Sequence, residues 1–452
     1  MRGAIKKAAP LWYHPSAMPN HVLRAAMAIA AALVFLGFPL PAAAACDPAR
    51  PISCGQVRVS GDSLYDDGGR WQVRGVAFFL PQYGINANTL RDDNYAAAKA
   101  DGSLAYWLDR ARDGLGANLL RVFIELPQRR DGAIYTPTSH ATVYDFATEA
   151  GARGMRLGLV LHNSASWSMT PERAAWITGL IDTFAARGAL PLLAYLSASN
   201  EINNYCGGHE RDCFDSAPGV NAQPYVDAAV AWTAQFRAVV KARAPQLLVT
   251  VGISTEMGDT DNTRAAFNFF RPDSAGRTLA SQVDFLAPHN FGGGAQGIYD
   301  DIRFVGYRGP IVLEEFGYPT DPFPVNRFFT EGPLRCRRAP LSPECFETAP
   351  YFVEANIQAL RARPYAGAVA WMLADVREKN SDDACTGGKP SDLWTGLFAI
   401  GGAYCAGGTY TRGVGQPKAT AVRICLYYTG DFFRCEPSAQ VRAIIYAPVI
   451  SR

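Results

Sequence analysis

The sequence of 452 residues predicts an α/β protein built as a (β/α)8 barrel. Short apolar runs recur along the chain, and segments with the periodicity of amphipathic helices separate them. Eight such runs lie in one domain-sized stretch, and this alternation is typical of a closed ring of parallel strands, the TIM barrel. Two runs end in acid, at Glu201 and at Glu314-Glu315. Since a charge at the end of a buried strand is unfavourable unless chemistry uses it, these ends predict a functional site.

The predicted barrel strands are short and rich in branched apolar residues, as buried parallel strands are. They cover residues 75–80, 118–125, 156–162, 191–196, 247–252, 283–289, 310–317 and 366–373. A doubly wound open sheet is the alternative fold. That fold is expected to carry a glycine-rich phosphate turn after its first strand, and the sequence has none there.

Turn and cap signals mark other elements. The turn 66–69, Asp-Asp-Gly-Gly, lies between residues 56–59 and 71–74, and it predicts an N-terminal β-hairpin. Thr170 followed by Pro171 is a helix cap with proline in the first turn, so a helix begins there. Further helices are predicted over residues 104–115, 140–153 and 223–243.

The first 45 residues have the composition of a secretory signal peptide. They contain four basic residues and no acidic ones, then an apolar segment over residues 25–36 and four alanines before Cys46. A membrane anchor is the alternative, but the apolar segment is short for about 30 Å of hydrocarbon. A lipid-anchored Cys46 is a further alternative, although alanines replace the large aliphatic residue usual before such a cysteine. We therefore expect cleavage and export, to the periplasm or the medium, with no stable membrane insertion.

Charge excludes two classes of partner. Removing the four basic residues of the signal leaves 39 Lys and Arg against 41 Asp and Glu, so the exported chain is close to neutral. Binding to nucleic acid or to an anionic membrane requires a clustered excess of Lys and Arg, so we expect neither. We expect no cofactor, and we expect a monomer.

All ten cysteines follow residue 45, and an even number in an exported protein predicts disulfides. Sequence alone does not determine the connectivity, and we pair neighbours along the chain. The pairs are Cys46–Cys54, Cys206–Cys213, Cys336–Cys345, Cys385–Cys405 and Cys425–Cys435. The last pair ties a C-terminal extension over residues 424–452 to the predicted catalytic domain, residues 46–423.

The strand ends carry the candidate site, because a barrel builds its active site at the carboxyl ends of its strands. Two carboxylates on such ends are the equipment for hydrolysing a glycosidic bond, and here they are Glu201 and Glu315. The other candidates can hydrogen-bond sugar hydroxyls or stack on pyranose rings. They are Arg121, His162, Trp167, Asn200, His289 and Trp371.

These residues, in this order, resemble clan A glycoside hydrolases and are most similar to the cellulase-like glycoside hydrolase family 5. The resemblance covers about residues 55–423. In that family an acid/base Glu follows Asn at the end of strand four, and a nucleophilic Glu ends strand seven. The resemblance therefore implies that Glu201 is the acid/base, that Glu315 is the nucleophile and that the linkage is β. The family's Arg on strand two, its His on strands three and six and its Trp on strand eight match Arg121, His162, His289 and Trp371.

One position departs from the family pattern. Family members carry Tyr two residues after the strand-six His, hydrogen-bonded to the nucleophile, and this chain has Phe291 there. Without that phenol, the orientation of Glu315 must come from elsewhere, and Arg121 is the candidate. Two alternatives stay open, namely that the correspondence with the family slips in that loop and that activity is low.

The predicted mechanism is retaining hydrolysis, with Glu315 ionised and Glu201 protonated. Arg121 would keep the nucleophile charged, apolar neighbours would raise the pKa of Glu201, and Asn200 would donate to the sugar 2-hydroxyl. Glu314 competes with Glu315 for the nucleophile's role. Because side chains alternate along a strand, only one of the two is expected to face the barrel interior, and the resemblance favours Glu315.

Other functions stay open at the level of sequence. His162 and His289 could be metal ligands, but the ligand sets of barrel metalloenzymes are missing, so we predict no metal site. A glycan-binding barrel without turnover is one rival, and the Phe291 departure is compatible with it. A transglycosylase of envelope polysaccharide assembly is the second, since it would use the same two acids. The sugar itself cannot be read from the sequence.

Overall fold

A computed structural model describes most of the chain after the predicted signal peptide. The described residues are 46–81, 89–130, 133–161, 167–206, 209–210, 213–214, 221–255, 267–291, 293–317, 348–375, 396–403 and 411–435. The signal peptide, His162 and residues 436–452 lie outside them. So do the predicted pairs Cys336–Cys345 and Cys385–Cys405.

Eight parallel strands form a ring, and they confirm the predicted barrel. The strands are β1 (Val73–Ala77), β2 (Leu119–Ile124), β3 (Arg156–Val160), β4 (Leu193–Ser197), β5 (Leu248–Thr250 and Gly252–Ser254), β6 (Ala287–Asn290), β7 (Val312–Phe316) and β8 (Gly367–Ala370). Each pairs with its neighbour along the chain, and β8 pairs with β1. The first piece of β5 bonds β4 and the second bonds β6, so the ring closes through β5.

Helices surround the ring and bury an apolar layer against it. They are α1 (Asp92–Ala100), α2 (Ser103–Asp109), α3 (His140–Gly151), α4 (Pro171–Ala185), α5 (Gln223–Arg243), α6 (Leu279–Gln282), α7 (Ala295–Phe304), α8 (Thr348–Ala362), α9 (Ala419–Thr429) and α10 (Phe432–Cys435). The predicted start of α4 is confirmed, since the Thr170 side chain accepts from the Arg173 N–H at 3.3 Å. Among the described residues, no helix is long and apolar enough to cross a membrane.

The N-terminal sheet differs from the predicted hairpin. It has three antiparallel strands, Arg58–Ser60, Ser63–Asp66 and Gly69–Arg70, and its turn lies where the sequence places it. Residues 71–74 do not form the second arm. The chain enters β1 at Val73, where β2 and β8 take its backbone hydrogen bonds, and that pairing excludes a hairpin partner.

Several short strands lie in the loops between the barrel strands and helices. Thr89–Leu90 extends the barrel sheet beside β2. Three two-stranded antiparallel ribbons are made by Gln128–Arg130 with Ala133–Tyr135, Tyr205–Cys206 with His209–Glu210, and Phe398–Ala403 with Thr411–Pro417. Short 3-10 turns cover Pro51–Cys54, Leu190–Leu192 and Asn268–Phe270, and a π-helical turn covers Arg110–Gly114.

Disulfides close both ends of the described chain, as predicted. Cys46 pairs with Cys54, and Cys425 pairs with Cys435 across α9 and α10. Cys213 is also disulfide-bonded, but the side chain of its predicted partner Cys206 lies outside the described part.

Helix α9 contacts the barrel near the start of the predicted C-terminal extension. The Tyr428 hydroxyl donates to the carbonyls of Gly75 on β1 and Ala368 on β8, at 2.6 and 3.0 Å. Helix α9 also packs against α8. The boundary predicted after residue 423 lies within this helix, and the separate extension over residues 424–452 stays a prediction.

Substituting Tyr428 by Phe should destabilise the folded protein, because the buried hydroxyl hydrogen bond that links α9 to β1 and β8 is lost. We expect a loss of about 0.5–1.5 kcal/mol in the free energy of unfolding, measured by denaturant titration. Tyr144→Phe is the control, since it removes a hydroxyl from an outer helix and keeps the ring contact with Phe184. Equal stabilities of the two variants would show that the Tyr428 hydroxyl contributes nothing.

Candidate active site

Five of the predicted site residues meet at the carboxyl ends of the strands. Arg121, Asn200, Glu201, His289 and Glu315 form one connected network of hydrogen bonds and charge contacts. They come from β2, the loop after β4, β6 and β7. Residues up to 194 positions apart in sequence therefore share one site, and only barrel closure brings them together.

Glu201 is positioned by a tight contact between the loop after β4 and strand β5. The Gly252 N–H donates to the Ser199 carbonyl, and the Gly252 carbonyl accepts from the Ile202 N–H, both at 3.1 Å. A Cβ at position 252 would lie 1.7 Å from the Asn200 carbonyl oxygen, so only glycine permits this approach. The loop thus presents Asn200 and Glu201 at the barrel mouth.

Both carboxylate oxygens of Glu201 have partners. Oε1 lies 3.1 Å from His289 Nδ1, and Oε2 accepts a hydrogen bond from Asn204 Nδ2 at 2.7 Å. The Glu201 side chain keeps 14% of its surface exposed, which leaves it accessible from the mouth. Glu201 is therefore held from two sides and still open to a ligand.

Arg121 organises the other half of the site. Its Nη1 donates to Glu315 Oε1 at 2.6 Å, and its Nη2 donates to Asn200 Oδ1 at 2.7 Å. Because Asn200 turns its oxygen to Arg121, its amide NH2 points elsewhere and can donate to a ligand. His289 Nδ1 lies 3.5 Å from Glu315 Oε2. Arg121 and His289 thus orient Glu315.

The two candidate acids are close together. One carboxylate oxygen of Glu201, one of Glu315 and one ring nitrogen of His289 all lie within 4.8 Å of one another. Carboxyl groups about 5–5.5 Å apart are typical of retaining glycosidases, and inverting enzymes separate them by about 6.5–9.5 Å. The two acids therefore share one space at the barrel mouth.

The expected alternation of Glu314 and Glu315 is wrong. Three residue steps on β7, from Leu313 to Phe316, face only two on β8, from Ala368 to Ala370, so β7 carries an irregularity of the β-bulge type. Both acids consequently contact Arg121 and His289. Glu314 lies 3.3 Å from Arg121 Nε and 3.4 Å from His289 Nε2. The site therefore contains three acids.

The acids differ in pKa, in the opposite order to the one expected from sequence. Burial, together with the nearby charges of Glu201 and Glu314, raises the pKa of Glu315 to about 7 despite Arg121 and His289. Burial alone would raise the pKa of Glu201, but hydrogen bonds from His289 and Asn204 lower it below its ordinary value. The apolar surroundings expected for Glu201 are replaced by these two donors.

Charge balance explains the pattern. Burial disfavours the His289 imidazolium, but Glu315, Glu201 and Glu314 together raise its pKa to about 9. Burial likewise disfavours the Arg121 guanidinium, yet Glu314 and Glu315 raise the pKa of Arg121 above its ordinary value. Two cations therefore face three acids at neutral pH, and the surplus negative charge is relieved by a proton on Glu315.

Aromatic rings form a wall beside the acids. The Phe79 ring lies 5.1 Å from that of Trp371 and 5.8 Å from that of Phe123. Phe291 meets the Trp371 ring edge-on at 6.5 Å. Trp371 is only half-buried, so part of its face is accessible. Trp167 instead packs against the core between strands and helices, and its part in binding stays a prediction.

Metal binding at this site is opposed by charge. The neighbouring atoms of Glu201, His289 and Glu315 are close enough to share an ion. However, the Arg121 guanidinium already lies 2.6 Å from Glu315, and a protonated His289 adds a second positive charge. A divalent cation would be repelled by both, so we do not assign these residues as metal ligands.

Three functional neighbours were not predicted from the sequence. Asn204 follows Glu201 by three residues, and its place in the polar stretch after β4 was the signal available. Tyr195 is a phenol within an otherwise apolar strand, and its hydroxyl faces Glu314. Its ring occupies the space left by Gly158, where a Cβ would lie 2.5 Å from the hydroxyl. The inward position of Glu314 had no sequence signal.

Solved structures share the barrel. The exo-β-1,4-mannosidase Op5Man5 from Opitutaceae bacterium strain TAV5 matches with a TM-score of 0.53 and 15% identity, over 82% of this chain and 61% of that chain. A GH2 β-galacturonidase from Eisenbergiella tayi gives 0.49 and 12%, over 83% and 54%. A β-mannanase from the blue mussel Mytilus edulis gives 0.45 and 17%, over 70% and 91%.

The chain spans about half to three-fifths of the first two of these proteins. No protein-family model matches the sequence, and no curated protein sequence matches it. At such identities the likeness shows the fold alone.

The raised pKa of Glu315 should appear in the pH dependence of stability. Its folded value of about 7 exceeds the ordinary 4.5, so its stabilising contribution is complete below pH 4.5 and is lost as the pH rises through 7. Glu315→Gln cannot ionise. We expect the free energy of unfolding of this variant, relative to that of the unmodified protein, to rise from pH 5 to pH 8 by a margin on the order of 1–3 kcal/mol.

Glu149→Gln, which changes a carboxylate on the outer helix α3, is the control for that experiment. A margin for Glu315→Gln that stays constant across this pH range would contradict the raised pKa.

Proposed function

We propose that the protein is a retaining glycoside hydrolase that cleaves β-linked sugars in an oligosaccharide or polysaccharide. The observation that carries the proposal is the pair of carboxylate oxygens of Glu201 and Glu315, within 4.8 Å at the mouth of a barrel. The fold supports it, because barrels use this end for catalysis. The β linkage and the relation to glycoside hydrolase family 5 rest on the sequence resemblance.

In the first step Glu315 attacks the anomeric carbon as the bond to the leaving oxygen breaks. Glu201 gives that oxygen a proton, which Glu201 must first receive because its lowered pKa leaves it ionised at rest. In the second step a water attacks the glycosyl-enzyme, and Glu201 takes the water's proton. Arg121 holds the Glu315 carboxylate in place at 2.6 Å. General acid–base catalysis of this kind contributes typically about 10²–10⁴-fold to a rate.

The resting site must ionise Glu315 before attack. Its pKa of about 7 leaves a substantial carboxylate fraction at neutral pH. Positive charge that develops at the anomeric carbon in the transition state further favours the carboxylate form. Activity should therefore fall below neutral pH as Glu315 takes up its proton.

The aromatic wall supports a sugar-binding role. Phe79 and Phe123 are buried behind the half-buried Trp371 ring, which offers apolar surface to a pyranose face. The Asn200 amide NH2 is a donor for a sugar hydroxyl, because Arg121 holds the Asn200 side-chain oxygen.

We further propose that the protein acts outside the cytoplasm, after cleavage of the signal peptide over residues 1–45. Disulfides persist in oxidising compartments, and the pairs Cys46–Cys54 and Cys425–Cys435 support this.

The test is turnover of a panel of 4-nitrophenyl β-glycosides, β-glucan, β-mannan and envelope polysaccharides. Glu201→Gln and Glu315→Gln should each lower kcat by at least about 10²-fold on the best substrate, because each removes a group that acts in the transition state. Glu149→Gln should retain activity. A chelator such as EDTA should have no effect.

A 2-deoxy-2-fluoro glycosyl fluoride of the preferred sugar should accumulate as a covalent adduct on Glu315, found by mass spectrometry of peptides. Near-normal kcat in either glutamine variant would overturn the assignment. Longer products at high substrate concentration would identify a transglycosylase, and binding without turnover would identify a glycan-binding barrel.

A further inference from the structure

We propose that Glu314 is a positioning residue that makes His289 the proton reservoir of Glu201. The inference rests on the proposed hydrolase function and adds to it a third acid and a relay. Glu314 holds one nitrogen of His289, and the other nitrogen gives Glu201 its proton and takes it back.

The geometry of His289 carries the inference. Its Nε2 lies 3.4 Å from Glu314 Oε2, and its Nδ1 lies 3.1 Å from Glu201 Oε1. An imidazole has only two nitrogens. Here Nε2 faces Glu314, and Nδ1 faces Glu201 at 3.1 Å and Glu315 at the longer distance of 3.5 Å. When Nε2 keeps its hydrogen toward Glu314, Nδ1 is the nitrogen that exchanges a proton with Glu201.

Glu314 has the burial expected of a fixed counter-charge. It is completely buried, so a ligand at the barrel mouth cannot reach it. The groups that face it come from every neighbouring part of the site. They are Arg121 on β2, Tyr195 on β4, His289 on β6 and Glu315 beside it on β7. A buried carboxylate is unfavourable unless its partners compensate, and Arg121 and His289 are the cations that do so here.

The contact with Arg121 alone does not explain why a carboxylate is buried at position 314. Glu315 already accepts from Arg121 Nη1 at 2.6 Å, whereas Glu314 lies 3.3 Å from Nε without an aligned hydrogen bond. What Glu314 adds beyond a counter-charge for Arg121 is its contact with His289 Nε2. The irregularity in β7 that turns Glu314 inward makes this contact possible.

The relay conserves protons. In glycosylation a proton passes from His289 Nδ1 to Glu201 as Glu201 transfers one to the leaving oxygen, and His289 becomes neutral with its remaining hydrogen on Nε2. In deglycosylation Glu201 takes a proton from the attacking water, and one returns to Nδ1. The negative charge of Glu314 favours the imidazolium before the first step and after the second, when both nitrogens carry a hydrogen.

The first test compares leaving groups. For the sugar that the enzyme prefers, kcat/KM is measured on a phenyl β-glycoside, which needs protonation of its leaving oxygen, and on a 2,4-dinitrophenyl β-glycoside, which does not. We expect Glu314→Gln to lose about 10²-fold on the first substrate and less than about threefold on the second. Glu149→Gln should change neither.

Equal losses on both substrates would overturn the proposal, because they would mean that Glu314 only maintains the structure around Glu315. Unchanged kcat/KM on both would also overturn it. If the unmodified enzyme cleaves neither substrate nor any of the panel, the proposed hydrolase function fails instead.

The second test reads His289 directly, and its decisive measurement is made on the unmodified protein. In unmodified protein with ¹⁵N-labelled histidine, the signals absent from His289→Asn belong to His289. We expect both nitrogens protonated at pH 7, and a downward shift of the titration by at least about one pH unit in Glu314→Gln. A neutral His289 at pH 7 with its hydrogen on Nδ1 would overturn the relay.

Discussion

The site depends on one buried guanidinium. Arg121 extends from β2 across the barrel to Glu315 on β7 and Asn200 after β4, and it is completely enclosed. Removing one partner from a buried ion pair costs about 3–5 kcal/mol, because the other charge is left without compensation. The acids of β7 therefore stabilise the folded protein by compensating the buried charge of Arg121, in addition to the chemistry proposed for them. Gly158 on β3 pairs with Arg121 on β2 and with Tyr195 on β4. Because it has no side chain, the barrel interior has room for those of Arg121 and Tyr195.

If both cations, Arg121 and His289, and all three acids of the site were charged, the site would carry a net negative charge. The surplus is one negative charge, and a proton on Glu315 relieves it. Glu315 is the least favourable place for a charge because it is buried beside two other carboxylates. Glu201 has two hydrogen-bond donors that favour its charge. Under the proposed mechanism function would work against stability at Glu315, because the ionised form that attacks is also the form that burial disfavours.

Much of this architecture could be predicted because barrel strands carry local patterns. Apolar runs locate the eight strands, and Glu201 and Glu315 are recognisable because each interrupts such a run. The irregularity in β7 could not be predicted, since it arises from how β7 pairs with β8 and not from any residue within it. The same holds for the pKa order. His289 and Asn204 reach Glu201 only through tertiary contacts, so apolar sequence neighbours led to the wrong expectation.

The contact of Tyr428 with both Gly75 and Ala368 has a consequence for the order of events during synthesis. The seam between the first and last strands receives its donor from a residue near the end of the described chain. A nascent polypeptide can contain all eight strands and still lack that hydroxyl, whose bonds add to the ladder between the first and last strands. A chain shortened at the end of its last strand would keep Glu201 and Glu315 but lose the contact that links α9 to both strands.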